Sequence, residues 1–264
     1  MDINEEAYAI QEEVVEFRRA LHRCPEIAFH ETMTMEYIRE HLEEWEISYK
    51  IFDPSGIIAV VGNGKKETIA LRADMDALEV QEETGLDFAS LNHGCMHACG
   101  HDGHATWLIG AAKILARLTD EFGGCIRFAF QPGEEVGLGA DTMIKEDKVL
   151  ENPKIDMAFA AHGWPSVESG KIGIVRRYAF GCVGGFKVKI IGKKGHASWP
   201  EQAVDPIAIA NEIYQHLPAI LTRTVSGTEP KILSVTYMQA GDTSVSNIIP
   251  VSYTHLRAHE TRRH

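Results

Sequence analysis

Seven side chains able to hold a metal ion crowd into one short stretch: His93, Cys95, His97, Cys99, His101, Asp102 and His104. Glycines at 94, 100 and 103 interrupt any continuous helix there, so the pattern predicts a loop feeding the helix ATWLIGAAKILARLTDEFGG. Taken singly, each histidine is an ordinary solvated loop residue; their density is what argues for ligation. A structural zinc finger needs a second Cys or His pair at a fixed distance, and none follows, which favours a catalytic site. The rival chemistry is a cysteine nucleophile, because Cys99 and His101 are close and a helix N-terminus lowers a thiol's pKa. Residues two apart on an extended segment point the same way, which suits joint ligation better than attack beside a base.

Further polar groups stand where an α/β sheet places a site. Asp74 and Asp76 follow the strand TIALRA, Glu134 and Glu135 follow CIRFAFQPG, and His162 follows IDMAFAA. All three sets then lie at the carboxyl ends of their strands and converge on one rim. Of two adjacent glutamates, one can bind an ion while its neighbour takes a proton from water; standing alone, such a pair is an acidic surface turn. His196, in GKKGHASWP, sits in a glycine-flanked turn whose ordinary role is to face solvent. Brought over a metal site by domain closure or by a partner subunit, it would donate a hydrogen bond to a developing oxyanion. Cys24, Cys125 and Cys182 lie in apolar contexts and are expected to be packed thiols.

The elements that must carry these groups follow from hydrophobic period. Val14, Val15, Phe17 and Leu21, then Met33, Tyr37, Ile38 and Leu42, mark helices on either side of HRCPEIAFHE. IIAVVG and TIALRADMDAL, split by Gly62-Asn63-Gly64, predict a hairpin or adjacent strands. CIRFAFQ and IDMAFAAHGW predict buried strands. Strands alternating with helices give an α/β fold. From about Gly181 the texture changes: GFKVKIIGKKG, DPIAIANEIYQHLPAILTRTV and KILSVTYMQA make a β-α-β stretch, with Gly184-Gly185 as a hinge. The expected division is therefore 1–180 and 181–251. The remainder, 252–264 (SYTHLRAHETRRH), is unlike what precedes it and resembles a translated sequencing-adapter tail. The natural protein is accordingly expected to continue past residue 251.

Composition bounds the function. The chain has 264 residues, 44% hydrophobic and 24% charged, ordinary values for a globular protein. A net charge of −12 argues against a broad nucleic-acid surface. The N-terminus MDINEEAYAI is acidic where a secretory signal is basic, and no apolar run approaches the roughly 18 residues of a membrane span. The cytoplasm is the expected location, without nucleic-acid or membrane partners. Five cysteines, an odd number, are read as reduced thiols.

Seven segments in series, LHRCPEIAFHE, RADMDALEV, MHACGHDGH, FQPGEE, AHGWP, GKKGHASWP and NIIP, resemble the metallopeptidases and amidohydrolases that include aminoacylase, carboxypeptidase G and hippurate hydrolase. The branch of N-acyl amino acid amidohydrolases, with hippurate hydrolase and the plant auxin-conjugate hydrolases, is the most similar. The resemblance implies a mixed-sheet, zinc-peptidase-like α/β catalytic domain with helices on both faces. It also implies an inserted ferredoxin-like lid, used for dimerisation, of which this chain holds the first half. Cys99, His101, Glu135 and His162 match metal ligands, and Glu134 matches the general base. Asp76 matches the carboxylate that orients a ligand histidine. His196 matches a lid histidine that reaches the substrate, often across a dimer interface. The family's final ligand histidine comes from a later segment absent here, and FQPGEE has glycine where relatives often have alanine.

The implied reaction is hydrolysis of the amide bond of an N-acyl amino acid such as hippurate, with one or two divalent ions per subunit. A thiolate beside histidines and a carboxylate favours zinc, while the mixed donor set also admits manganese, cobalt or nickel. The alternatives are a metallo-dipeptidase of the same architecture and an inactive metal-binding fragment. A homodimer or homo-oligomer through the lid is the expected assembly.

Overall fold

The computed structural model describes residues 2–63, 66–145, 148–151, 153–176, 182–226, 231–242 and 244–262, the last stretch largely by its backbone. The chain forms two compact units, Met1–Glu168 and Ser169–His264. The division falls ahead of the 180/181 boundary expected from the change in texture; Gly181 itself lies outside the described residues, as does Gly64.

The first unit runs α1 (Ile3–Ala9), α2 (Gln11–Arg23), α3 (Thr32–Glu44), β1 (Ser48–Ile51), β2 (Ile57–Gly62), β3 (Thr68–Asp74), α4 (His101–Arg117), β4 (Cys125–Gln131), α5 (Gly139–Lys145) and β5 (Met157–Ala160). Its strands form one sheet in the order β1-β2-β4-β3-β5. β1 and β4 flank β2 antiparallel, whereas β3 is parallel to both β4 and β5. The sheet is therefore mixed. Parallel neighbours require a long crossover, and the segment containing α4 supplies it between β3 and β4.

Side-chain alternation builds a core on each face. Ile57, Ala59 and Val61 of β2 and Phe128 and Phe130 of β4 pack against Phe17 and Leu21 of α2, Ile38 and Leu42 of α3, and Leu108, Ile109 and Ala112 of α4. On the opposite face Ile58 meets Phe52 and Met143 of α5. Burying a large apolar side chain is worth about 1.5–3 kcal/mol, so this double packing stabilises the sheet from both faces.

Three local expectations need correction. β2 and β3 are neither a hairpin nor neighbours, because β4 lies between them; local period identifies strands but carries no sheet order. β5 is an edge strand with exposed side chains, Phe159 at 56%, so its apolar run is not a buried strand in this chain. The metal-type cluster is not all loop: His101, Asp102 and His104 form the first turn of α4. Gly100 starts that helix at φ +89, in the left-handed region that favours glycine, and Gly103 is accommodated within it.

The second unit contains β6 (Cys182–Ile191), β7 (Gly195–His196), α6 (Pro206–Thr224), β8 (Lys231–Tyr237), β9 (Ile248–Ile249) and β10 (Ser252–Arg262). A three-stranded sheet in the order β6-β10-β8 has β10 antiparallel to both neighbours. Val188, Ile190, Leu233 and Val235 pack with Ala210, Ile213 and Leu217 of α6. Asp205 caps α6 by accepting from the amides of Ile207 and Ala208, and Pro206 occupies its first turn. Gly184 and Gly185 lie within β6 rather than at a hinge. The stretch read as a foreign tail occupies the central strand through backbone pairing, and it contains no proline to interrupt the ladder. Among the described residues, no helix is long and apolar enough to cross a membrane.

Candidate metal centre

β3, β4 and β5 run parallel, so the segments leaving their carboxyl ends emerge on one rim of the sheet. Asp76 follows β3, Glu134 and Glu135 follow β4, and His162 follows β5. Cys99 and His101 arrive with the start of α4.

The donors converge. Cys99 Sγ lies 3.6 Å from His162 Nε2, and Glu135 is close enough to act on its ionisation. One donor atom from each of Cys99, His101 and His162 lies within 4.8 Å of the others, and the same holds for His101, Glu134 and Glu135. Two ligands on a tetrahedral zinc, with bonds of about 2.0–2.3 Å, stand roughly 3.3–3.8 Å apart. The Cys99–His162 spacing meets that requirement.

His101 is fully buried. Its Nδ1 stands 2.9 Å from the Asp76 carbonyl and 3.4 Å from the Asp76 carboxylate. Donation there leaves the Nε2 lone pair for a cation, and Nε2 is buried without a hydrogen-bond partner. Around it, at 3.7–3.9 Å, are oxygens of Asp74, Glu134 and Glu135. An orphaned imidazole nitrogen facing three carboxylates is a setting that fits a divalent ion.

The same surplus of negative charge acts on the ionisation of the donors themselves. Burial, together with the charge of Glu135 and its hydrogen bond, pushes the Cys99 thiol up to about 12. Burial and Glu134 raise the Glu135 carboxyl despite the opposing effect of His101. Burial works to lower the His101 pKa, but Asp76, Asp74 and Glu135 raise it overall.

Asp76 does more than orient His101. Its two carboxylate oxygens accept the backbone amides of Glu134 and Glu135, each at 3.0 Å, tying the acid pair to the strand that carries the histidine's partner. Burial opposes its ionisation, but the His101 hydrogen bond and these amides bring its pKa below the ordinary carboxylate value.

Residue-type reasoning missed the role of His104. Its Nδ1 lies 2.6 Å from Asp74 Oδ1 while its Nε2 accepts the Gly163 amide at 2.8 Å. Both nitrogens are engaged, so His104 braces the His162 loop rather than offering a ligand atom, although Asp74, His101 and His104 also cluster closely. A buried charge network behind α4 was missed as well: Asp102 accepts from Arg18 at 2.9 Å and His22 at 2.7 Å, and His22 also meets Glu82 at 3.3 Å. The density of Asp and His in the sequence was the available signal; the pairing was not.

His196 belongs to the other unit. It is exposed there, pairs with Ile248 across β7 and β9, and accepts the Ser198 amide at Nδ1. The segments GKKGHASWP and NIIP thus meet in one short ladder. Cys125 is buried and Cys24 half-buried, and neither forms a disulfide; the side chain of Cys182 lies outside the described residues.

A mixed sheet presenting a thiol, two imidazoles and paired glutamates on one rim is an arrangement able to hold a metal ion. Residues 70–256 match the peptidase family M20/M25/M40, and the chain belongs to that family. It is 39% identical over 244 residues to an N-acyl-L-amino acid amidohydrolase of Geobacillus stearothermophilus, covering 91% of this chain and 65% of that protein. It is 36% identical over 254 residues to a hippurate hydrolase of Campylobacter jejuni, covering 95% of this chain and 64% of that protein. The fold superposes with a TM-score of 0.74 and 34% identity on a Bacillus subtilis protein described as a dinuclear metal-binding peptidase of the M20 family, over 97% of this chain and 65% of that one. The chain thus spans just under two thirds of the length of these relatives.

Proposed function

We propose that the protein to which this chain belongs is a metal-dependent amidohydrolase that cleaves N-acyl amino acids of the hippurate type. The observation carrying this reading is the meeting of Cys99, His101, His162 and the Glu134-Glu135 pair at the carboxyl rim of β3, β4 and β5. The names of the amidohydrolase and hippurate hydrolase relatives support the substrate class.

In this reading Cys99, His101, Glu135 and His162 hold one or two divalent ions, zinc or manganese, with cobalt or nickel as further candidates. An ion held by these residues would supply Lewis acidity, polarising a carbonyl and lowering the pKa of water towards about 7. Glu134 is the general base. Its side chain is 42% exposed, open to substrate, and its carboxylate lies 3.9 Å from His101 Nε2. It takes a proton from the attacking water and returns it to the leaving amine. Asp76 holds the base and the ligand glutamate through their backbone amides. His196 would serve as a hydrogen-bond donor to the oxyanion, and the lid, residues 181–251, would carry a homodimer or homo-oligomer. The proposed location is the cytoplasm.

Hydrolysis of hippurate and N-acetyl amino acids, compared with free dipeptides, tests the substrate class. The chain should be assayed alone and extended by the C-terminal segment of an M20 relative, with metal content measured on each sample. Cleavage of N-acyl substrates in preference to dipeptides is the expected result. An extended, stoichiometrically metal-loaded protein that cleaves none of the N-acyl substrates would falsify the proposal.

A further inference from the structure

The segment LHRCPEIAFHE has no part in the metal centre, yet it braces the loop that carries the acid pair. Glu31 is completely buried. Its Oε1 accepts the Gly133 amide at 2.9 Å and its Oε2 accepts the Ser55 hydroxyl at 2.7 Å. Asp76 accepts the next two amides, those of Glu134 and Glu135. The consecutive N–H groups of residues 133, 134 and 135 are therefore all held by two carboxylates from separate stretches of chain.

Packing closes the same clamp. Gly133 has φ +55, and a Cβ there would lie 2.8 Å from the ring of Phe29. The Gly133 carbonyl accepts the Gly139 amide at 3.1 Å, closing the loop on itself. The segment also reaches the other carrier: the Ala77 amide donates to the Glu26 carbonyl at 2.7 Å, directly after Asp76.

We infer that Glu31 is a positioning residue: by fixing Gly133 it sets the backbone on which Glu134 and Glu135 stand, and so the aim of both carboxylates toward His101. This rests on the proposed metal centre for its consequence, though not for the backbone geometry itself. The hydrogen bonds are the operative feature, so reach matters more than charge. Glutamine keeps the reach, with its carbonyl accepting from Gly133 and its amide donating to the Ser55 oxygen. Aspartate keeps the charge and loses a methylene of reach.

The test compares Glu31→Gln and Glu31→Asp with the parent chain by amide hydrogen exchange at residues 133–135 and by Co²⁺ titration. Glu31→Gln should match the parent within about threefold in both. Glu31→Asp should expose the three amides and weaken Co²⁺ binding by about tenfold, the usual scale for losing a group that supports metal ligands. The inference is overturned if Glu31→Asp protects those amides as the parent does, or if Glu31→Gln is as impaired as Glu31→Asp. A parent chain that binds no Co²⁺ counts against the metal centre, and the exchange comparison then decides the role of Glu31 separately.

Discussion

His104 holds the loop of His162 in place by accepting the Gly163 amide at Nε2, 2.8 Å away. That bond requires the proton to sit on Nδ1, where Asp74 receives it at 2.6 Å. Asp74 is in turn fixed by Arg72 at 2.8 Å. Replacing His104 by alanine leaves the Gly163 amide without its acceptor and frees His162 to move away from Cys99. Co²⁺ affinity measured by calorimetry should fall about 10- to 100-fold. Asp74→Asn keeps an acceptor for Nδ1–H and should lose much less than Asp74→Ala. Equal affinities across all three variants would remove this brace from the account of the site.

Cys99 gives the site a spectroscopic handle. With its sulfur 3.6 Å from His162 Nε2, Co²⁺ bound between them acquires a thiolate ligand, which produces a charge-transfer absorption that oxygen and nitrogen ligands do not. The parent chain should show that band and Cys99→Ser should lack it. A Co²⁺ complex whose near-ultraviolet spectrum is the same in both would place the ion elsewhere.

Much of this centre was legible because its chemistry is local in sequence. Asp76, the Glu134-Glu135 pair and His162 each follow an apolar strand, and three parallel strands bring such positions to one rim without further information. What escaped was set by tertiary pairing. Nothing in the spacing tells that β4 separates β2 from β3, because a strand's own period specifies its faces and not its neighbours. His104 looked equivalent to His101, one turn away on the same helix. Only the Gly163 amide distinguishes a bracing histidine from one whose Nε2 is left for an ion. Glu31 was not singled out, because its hydrogen-bond partners, Ser55 and Gly133, come from other parts of the chain.

Glu134 and Glu135 share a neighbourhood, and substitution separates the roles proposed for them. In the extended protein, Glu134→Gln should reduce turnover by about 10²- to 10⁴-fold, the usual contribution of a positioned base, while metal content stays at the parent level. Glu135→Gln should lower metal occupancy itself, because its carboxylate lies against Cys99 and His101. Steady-state kinetics with metal analysis on the same samples distinguishes the two. Undiminished turnover in a metal-loaded Glu134→Gln protein would require another base.

His22 makes stability depend on pH from behind the site. The ring is 3% exposed, with Asp102 at 2.7 Å from Nδ1 and Glu82 at 3.3 Å from Nε2. Arg18 shares Asp102, and the His97 ring lies 6.3 Å away. The Asp102 hydrogen bond, aided by both carboxylate charges, raises the His22 pKa above 6.5 even though burial opposes it. The folded chain therefore binds this proton more tightly than the unfolded chain does. The resulting stabilisation is fully present below the unfolded pKa of about 6.5 and is lost as pH rises through the higher folded value. Comparing the parent with His22→Gln isolates the His22 ring together with the groups its charge acts on, Asp102, Glu82 and His97, and cancels the titrations remote from it. The difference in urea-unfolding free energy should be greatest on the acid side of about 6.5 and shrink as pH rises through the higher folded pKa. A difference that stays constant across that interval would show that the ring is held neutral and that Asp102 receives only an uncharged hydrogen bond.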